Sequence, residues 1–281
     1  MNYTTSLTFI GAGNMSSSII GGLIGEHYPP QAITACDPNL DALDRLSQTF
    51  AIQTTTDNTV ACQQSDVIIL AVKPQILKSV AEGLQTTLTN RANTSKESLP
   101  LIISIAAGIT SQQIQNWLGQ NVAIVRCMPN TPALVQQGAC GLYATAQTSS
   151  EQKLIAEQLM QAIGDSVWLN DEALIDSVTA VSGSGPAYFF LLMEAMIDAG
   201  VKQGLNKDIA TQLTLQTALG AATLAKSSDV SVGELRRRVT SPGGTTEQAL
   251  NYFEHAGLRD TVTKAMQACA DRSKTMAKEL N

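Results

Sequence analysis

Ser6-Leu7-Thr8-Phe9-Ile10-Gly11-Ala12-Gly13-Asn14-Met15-Ser16 begins with an apolar run short enough for one buried strand and passes straight into a pair of glycines. Ser17 to Glu26 then reads as a helix. Strand, Gly-x-Gly-x-x-small and helix, in that order, is the context that a dinucleotide fingerprint requires. Gly11 makes the tight turn and Gly13 admits a pyrophosphate close to the backbone. Ser16 stands where a third glycine is usual and is small enough for close packing of helix on strand. The following strand, Ala32 to Cys36, ends in Asp37. An acid there pairs with the adenosine ribose hydroxyls and repels the extra phosphate of NADP, which points to NAD. The competing reading is that Asp37 and Pro38 start a turn or cap the helix Asp41 to Phe50.

Outward from this unit the chain keeps alternating. Ser65 to Val72 is a continuous apolar run of the kind buried in a parallel sheet, and Leu101 to Ile105 and Val122 to Cys127 are two more. Tyr143 belongs to a further strand. Helical stretches lie at Gln75 to Leu84, Ser111 to Leu118 and Ser150 to Ile163. The pattern predicts an open, doubly wound α/β sheet. Thr86 to Ser98, rich in Thr, Asn and Ser, reads as a surface loop. From Asp171 onward the strand signal stops. Ala, Leu and Met recur at helical spacing over Pro186 to Gln203, Lys207 to Ala225 and Gly257 to Leu280. Two domains are therefore expected, residues 1–170 and 171–281, the second all-helical and able to bury an apolar face on a second subunit.

Composition narrows the class. The net charge of -6 over 281 residues argues against a nucleic-acid or anionic-membrane surface. No apolar run reads as a membrane span and the polar start does not read as a signal peptide. Five cysteines without a C-x-x-C pair fit reduced thiols in a cytoplasmic protein. With only His27 and His255, neither a metal cluster nor a histidine relay is expected.

Several loops carry candidate chemistry. Ser241-Pro242-Gly243-Gly244-Thr245-Thr246 sits at the mouth of a helical run, Glu247 to His255. Its glycines, hydroxyls and helix N-terminus suit an anion such as a carboxylate or phosphate. Taken alone, it reads first as a capped turn. Ala71-Val72-Lys73-Pro74, Ser104-Ile105-Ala106-Ala107-Gly108 and Met128-Pro129-Asn130-Thr131-Pro132 each follow a strand, where open α/β sheets bind ligands. Lys73 suits a phosphate or carboxylate, the small residues Ala106, Ala107 and Gly108 leave room for a nicotinamide ring, and Asn130 suits a carboxamide or substrate. The alternatives are a solvated lysine and ordinary turns. Ser182-Gly183-Ser184-Gly185-Pro186-Ala187-Tyr188 opens the long helix of the second domain, either against a cofactor edge or as a linker and cap.

Taken together and in order, these motifs resemble the pyrroline-5-carboxylate reductase family over nearly the whole chain. The resemblance implies an N-terminal Rossmann domain and a helical C-terminal domain interlocked in a homodimer, with larger rings of dimers also found in the family. It implies NADPH- or NADH-dependent reduction of 1-pyrroline-5-carboxylate to L-proline. Cofactor contacts are expected from Gly11, Gly13, Asn14, Met15, Asp37, Ala71, Val72, Lys73, Pro74, Ala106, Ala107, Gly108 and Asn130. Ser241 and the amides of Gly244 and Thr245 would hold the substrate carboxylate, and Thr246 the imine nitrogen. Asp229 aligns with a glutamate of some members that reaches towards the substrate amine. Asp37 departs from the hydroxyl or basic residues of members that prefer NADP. A 3-hydroxyacid dehydrogenase on the same plan would need a lysine within Ala187 to Val201, and there is none. A nucleotide-sensing protein without turnover is the rival from another class.

Overall fold

The computed structural model describes residues 5–93 and 99–279. The first half runs β1 (Leu7–Ile10), α1 (Asn14–Gly25), β2 (Ile33–Cys36), α2 (Leu40–Phe50), β3 (Gln53–Thr55), α3 (Asn58–Cys62), β4 (Val67–Leu70), α4 (Pro74–Gly83), α5 (Gln85–Asn93), β5 (Leu101–Ser104), α6 (Ser111–Leu118), β6 (Ile124–Met128), β7 (Gly138–Ala144), α7 (Ser150–Gln161) and β8 (Gly164–Trp168). The eight strands form one sheet in the order β3-β2-β1-β4-β5-β6-β7-β8, parallel except where β7 runs against β6. The sheet is doubly wound, as expected, and its order reverses between β1 and β4.

Apolar cores cover both faces, and the strand residues divide between them with a period of two. In β4, Val67 and Ile69 join the core formed with Leu7, Phe9 and Ile20, whereas Ile68 and Leu70 join the one formed with Ile10, Leu77 and Ile114. Each such side chain contributes about 1.5–3 kcal/mol through burial. A continuous apolar run is therefore what a strand needs when both of its faces are covered.

The segment Thr86 to Ser98 departs from its expectation. Through Asn93 it is α5, not a loop, and residues 94–98 lie outside the described residues. Leu84, Leu88 and Arg91 fall at i, i+4 and i+7 and all three are buried. The Arg91 guanidinium donates to the carbonyls of Cys62 at 3.0 Å and Ser65 at 2.8 Å, so an arginine occupies a core position that apolar periodicity does not reveal.

Packing divides the chain into residues up to Ser184 together with those from Cys269 onward, and Gly185–Ala268. That division differs from the cut expected at residue 170. Beyond β8, α8 (Leu174–Val178) and a π-helical turn (Thr179–Gly183) lie against β7, where a side chain at Gly141 would stand 2.8 Å from Val178. Ile175 and Ala180 are buried there. Near the C-terminus Ser273 donates to Asp176 at 2.6 Å, and Gln113 donates to the carbonyl of Ala277 at 3.0 Å.

The second unit holds α9 (Gly185–Lys202), α10 (Lys207–Lys226), α11 (Val232–Arg238), α12 (Thr245–His255) and the start of α13 (Leu258–Glu279). Among the described residues no strand follows Trp168. Gly200 lets α9 approach Ala210 of α10, whose Cβ would stand 3.3 Å from a Cβ built there. Otherwise these helices keep little to themselves. In α9 to α12 only Gly185, Ala210 and Thr214 are buried, while Phe189, Phe190 and Leu191 are each more than 60% exposed. The helical run Leu174–Lys202 meets the length and mean hydropathy of a membrane span by composition alone, a test that single apolar helices of other proteins also pass.

Candidate active site

In the first unit the loops after β1, β2, β4, β5 and β6 all leave the carboxyl edge of one parallel run of strands, around the point where the order reverses. Open sheets of this type bind ligands there. Gly11 has φ +108°, and a Cβ on it would lie 2.5 Å from the carbonyl oxygen of Ala71. Only glycine fits that position, and its fit seats the β1–α1 loop against Ala71 and Val72. Gly13 has nothing within 4 Å of where a Cβ would be. Ser16 is fully buried and donates to the carbonyl of Gly11 at 2.6 Å, so the residue standing for the third glycine also closes the loop.

Asp37 holds this loop from the other side. One carboxylate oxygen accepts the amide of Ala12 at 2.8 Å and the other accepts the amide of Asn39 at 2.9 Å. Its charge therefore stands beside the glycine turn while spare lone pairs remain on both oxygens. Lys73 is exposed and precedes Pro74, the first residue of α4. Ala106 and Gly108 are buried, and Gly108 takes φ +70° with the backbone of Ser273 and Ala277 beside it. Asn130 is more committed than its sequence suggests. Its side chain donates to the carbonyl of Ser182 at 3.0 Å and accepts the amide of Ala139 at 2.9 Å. The open surface at Gly13 and the tethered turn fit a dinucleotide pyrophosphate at the N-terminus of α1.

In the second unit Ser241–Gly244 is a type II turn. Pro242 is at its second position, Gly243 at the third has φ +71°, and the Gly244 amide donates to the carbonyl of Ser241 at 2.9 Å. Gly244 is needed sterically as well, since a Cβ there would lie 2.9 Å from that same oxygen. The amide expected to meet a substrate carboxylate is thus spent on the turn. Among the described residues, the amides of Thr245, Thr246 and Glu247 and the hydroxyls of Ser241, Thr245 and Thr246 carry no intramolecular hydrogen bond. These donors face outward at the positive end of the eleven-residue α12. Asp229 lies exposed in the turn between α10 and α11.

Sequence reasoning missed two carboxylates. Glu247 accepts the amide of Gly243 at 2.7 Å. Its signal was an acid in the first helical turn, four residues beyond a glycine. Glu172 receives the Arg126 guanidinium at 2.8 Å and both the amide and hydroxyl of Ser111 at 2.7 Å, joining β6, α6 and the start of α8. Burial pushes the thiol of Cys36 on β2 up to about 11, that of Cys62 on α3 up to about 12 and that of Cys127 on β6 well above the usual thiol range, so none of these three is poised as a nucleophile.

A doubly wound sheet with this glycine turn, and an acid closing the second strand beside it, defines a nicotinamide-dinucleotide oxidoreductase. Residues 6–108 match a family described as NADP oxidoreductase, coenzyme F420-dependent, and residues 172–276 match pyrroline-5-carboxylate reductase dimerisation. A pyrroline-5-carboxylate reductase of Pseudomonas aeruginosa is 51% identical over 99% of this chain and 98% of its own. The structure of one from Coxiella burnetii, 44% identical, superposes with a TM-score of 0.91 over 98% of this chain and 99% of that one. That of Plasmodium falciparum, with NADP bound, is 30% identical with a TM-score of 0.84 over 98% and 99%. The chain belongs to the pyrroline-5-carboxylate reductase family, whose members are NAD(P)-dependent oxidoreductases.

Proposed function

We propose that this chain reduces the C=N bond of 1-pyrroline-5-carboxylate to L-proline, the last step of proline biosynthesis, with the Ser241–Thr246 loop as the substrate seat. The observation that carries this reading is the set of unspent donors at the mouth of α12, which suits one small carboxylate. Ser241 and the Thr245 amide bind that carboxylate, and Gly244 keeps the backbone clear beside it. Thr246, half-buried in the first turn, orients the ring nitrogen through its hydroxyl. Asp229 is assigned to the amine side.

A protonated cyclic imine is already electrophilic at carbon, so positioning replaces a strong catalytic acid. A reduced nicotinamide, when bound, supplies the hydride that this carbon accepts. Gly11, Gly13, Asn14 and Met15 are proposed to hold its pyrophosphate and Asp37 its ribose, with Ala71–Pro74, Ala106–Gly108 and Asn130 along the rest. The Asp37 charge favours NADH over NADPH. The exposed apolar helices of the second unit are covered by a second copy, making a homodimer, and the free thiols support a cytoplasmic location.

Thr246→Ala tests the assignment. Turnover should fall by about tenfold to a hundredfold, the range for losing one oriented donor in an active site, with the thermal midpoint unchanged. Near-wild-type kinetics would contradict it.

A further inference from the structure

We infer that Glu247 is a positioning residue for the substrate loop, fixing which backbone amides are left to meet the substrate carboxylate. The inference rests on the reading of Ser241–Thr246 as the substrate seat. The loop has five consecutive amides from Gly243 to Glu247, and the structure spends the first two. The Gly244 amide closes the type II turn on Ser241, and the Gly243 amide is held by the Glu247 carboxylate at 2.7 Å. Gly243 takes φ +71° with nothing within 4 Å of where a Cβ would stand, so neighbouring atoms do not enforce that conformation. The chain closes the loop on itself with one charge-assisted hydrogen bond between residues four apart.

Two effects of opposite sign follow. As an acceptor, Glu247 holds the Gly243 peptide and keeps Thr245 and Thr246 aimed together, which lowers the cost of ordering the loop around a ligand. As an anion, it stands one helical turn from the proposed carboxylate seat and weakens binding there. Glutamine keeps the acceptor and removes the charge, whereas alanine removes both. The two substitutions therefore separate the effects.

The experiment compares Glu247→Ala and Glu247→Gln with wild type in the full chain, reading KM for 1-pyrroline-5-carboxylate, KM for the cofactor, and L-proline binding by calorimetry. Ser241→Ala serves as the control for the loop itself. Glu247→Ala should raise the substrate KM and the proline Kd about tenfold, the loss expected of one charge-assisted hydrogen bond. The cofactor KM, which reports the fold of the first unit, should not move. Glu247→Gln should restore both constants to the wild-type value or below. An alanine variant with unchanged substrate KM would overturn the inference, as would a glutamine variant as impaired as alanine. If Ser241→Ala leaves substrate KM and proline binding untouched, the loop is not the seat, and the reading beneath the inference fails instead.

Discussion

Asp37 does two things with one carboxylate. It ties the amide of Ala12 in the glycine turn and that of Asn39 ahead of α2, and on the function proposed above its charge meets the adenosine ribose. Serine at that position cannot hold both amides and carries no charge. Asp37→Ser should raise KM for NADH and shift the NADPH to NADH ratio of kcat/KM about tenfold towards NADPH, the scale of one relieved charge contact near a protein surface. An unchanged ratio in steady-state kinetics would show that the carboxylate serves the turn alone. The need for glycine at position 11 was legible because a tight turn after a strand demands a positive φ and a close approach that other residues do not tolerate; Gly13 is extended and open, so no steric demand marks it. The commitment of the Gly244 amide and the closure by Glu247 were not read, although the Pro242-Gly243 pair of a type II turn and an acid in the first helical turn are their signals.

At the scale of elements, strands buried on both faces announced themselves, since β1, β4 and β5 each have at least three apolar residues of four and every residue buried. β3 and β8 did not. The first is three polar residues, two of them exposed, and in the second no residue is fully buried. α5 was hidden by its polar composition, with an arginine where an apolar residue would have revealed the stripe. Long-range polar clamps are equally silent in a sequence. Arg126 on β6 and Glu172 ahead of α8 lie 46 residues apart and meet in a part-buried ion pair that also caps α6 through Ser111. Glu172→Ala would leave the Arg126 guanidinium buried without its carboxylate. It should destabilise the first unit by about 2–4 kcal/mol, as broken buried pairs do, measured as a lowered denaturation midpoint. A midpoint within 0.5 kcal/mol of wild type, the order of an ordinary surface substitution, would show that the pair is dispensable.

For the whole molecule, the sequence made both the change of texture near residue 171 and the apolar helices beyond it visible. It did not show that residues 171–184 pack on β7 and that the chain returns to the first unit from Cys269, because both depend on contacts distant in sequence. Nor did it show that α9 to α12 would bury almost nothing within one subunit, which is where the family's dimerisation region falls. Gly220 has nothing within 4 Å of where its Cβ would stand, so that face of α10 is open. On the function proposed above, one chain carries both a dinucleotide turn and a carboxylate seat and reduces a cyclic imine. The direct measurement follows oxidation of NADH and of NADPH, in separate assays, with 1-pyrroline-5-carboxylate as acceptor and L-proline detected as product. Stoichiometric proline formation is expected with at least one cofactor, NADH being the better. No proline with either, from folded protein that still binds nucleotide, would contradict it.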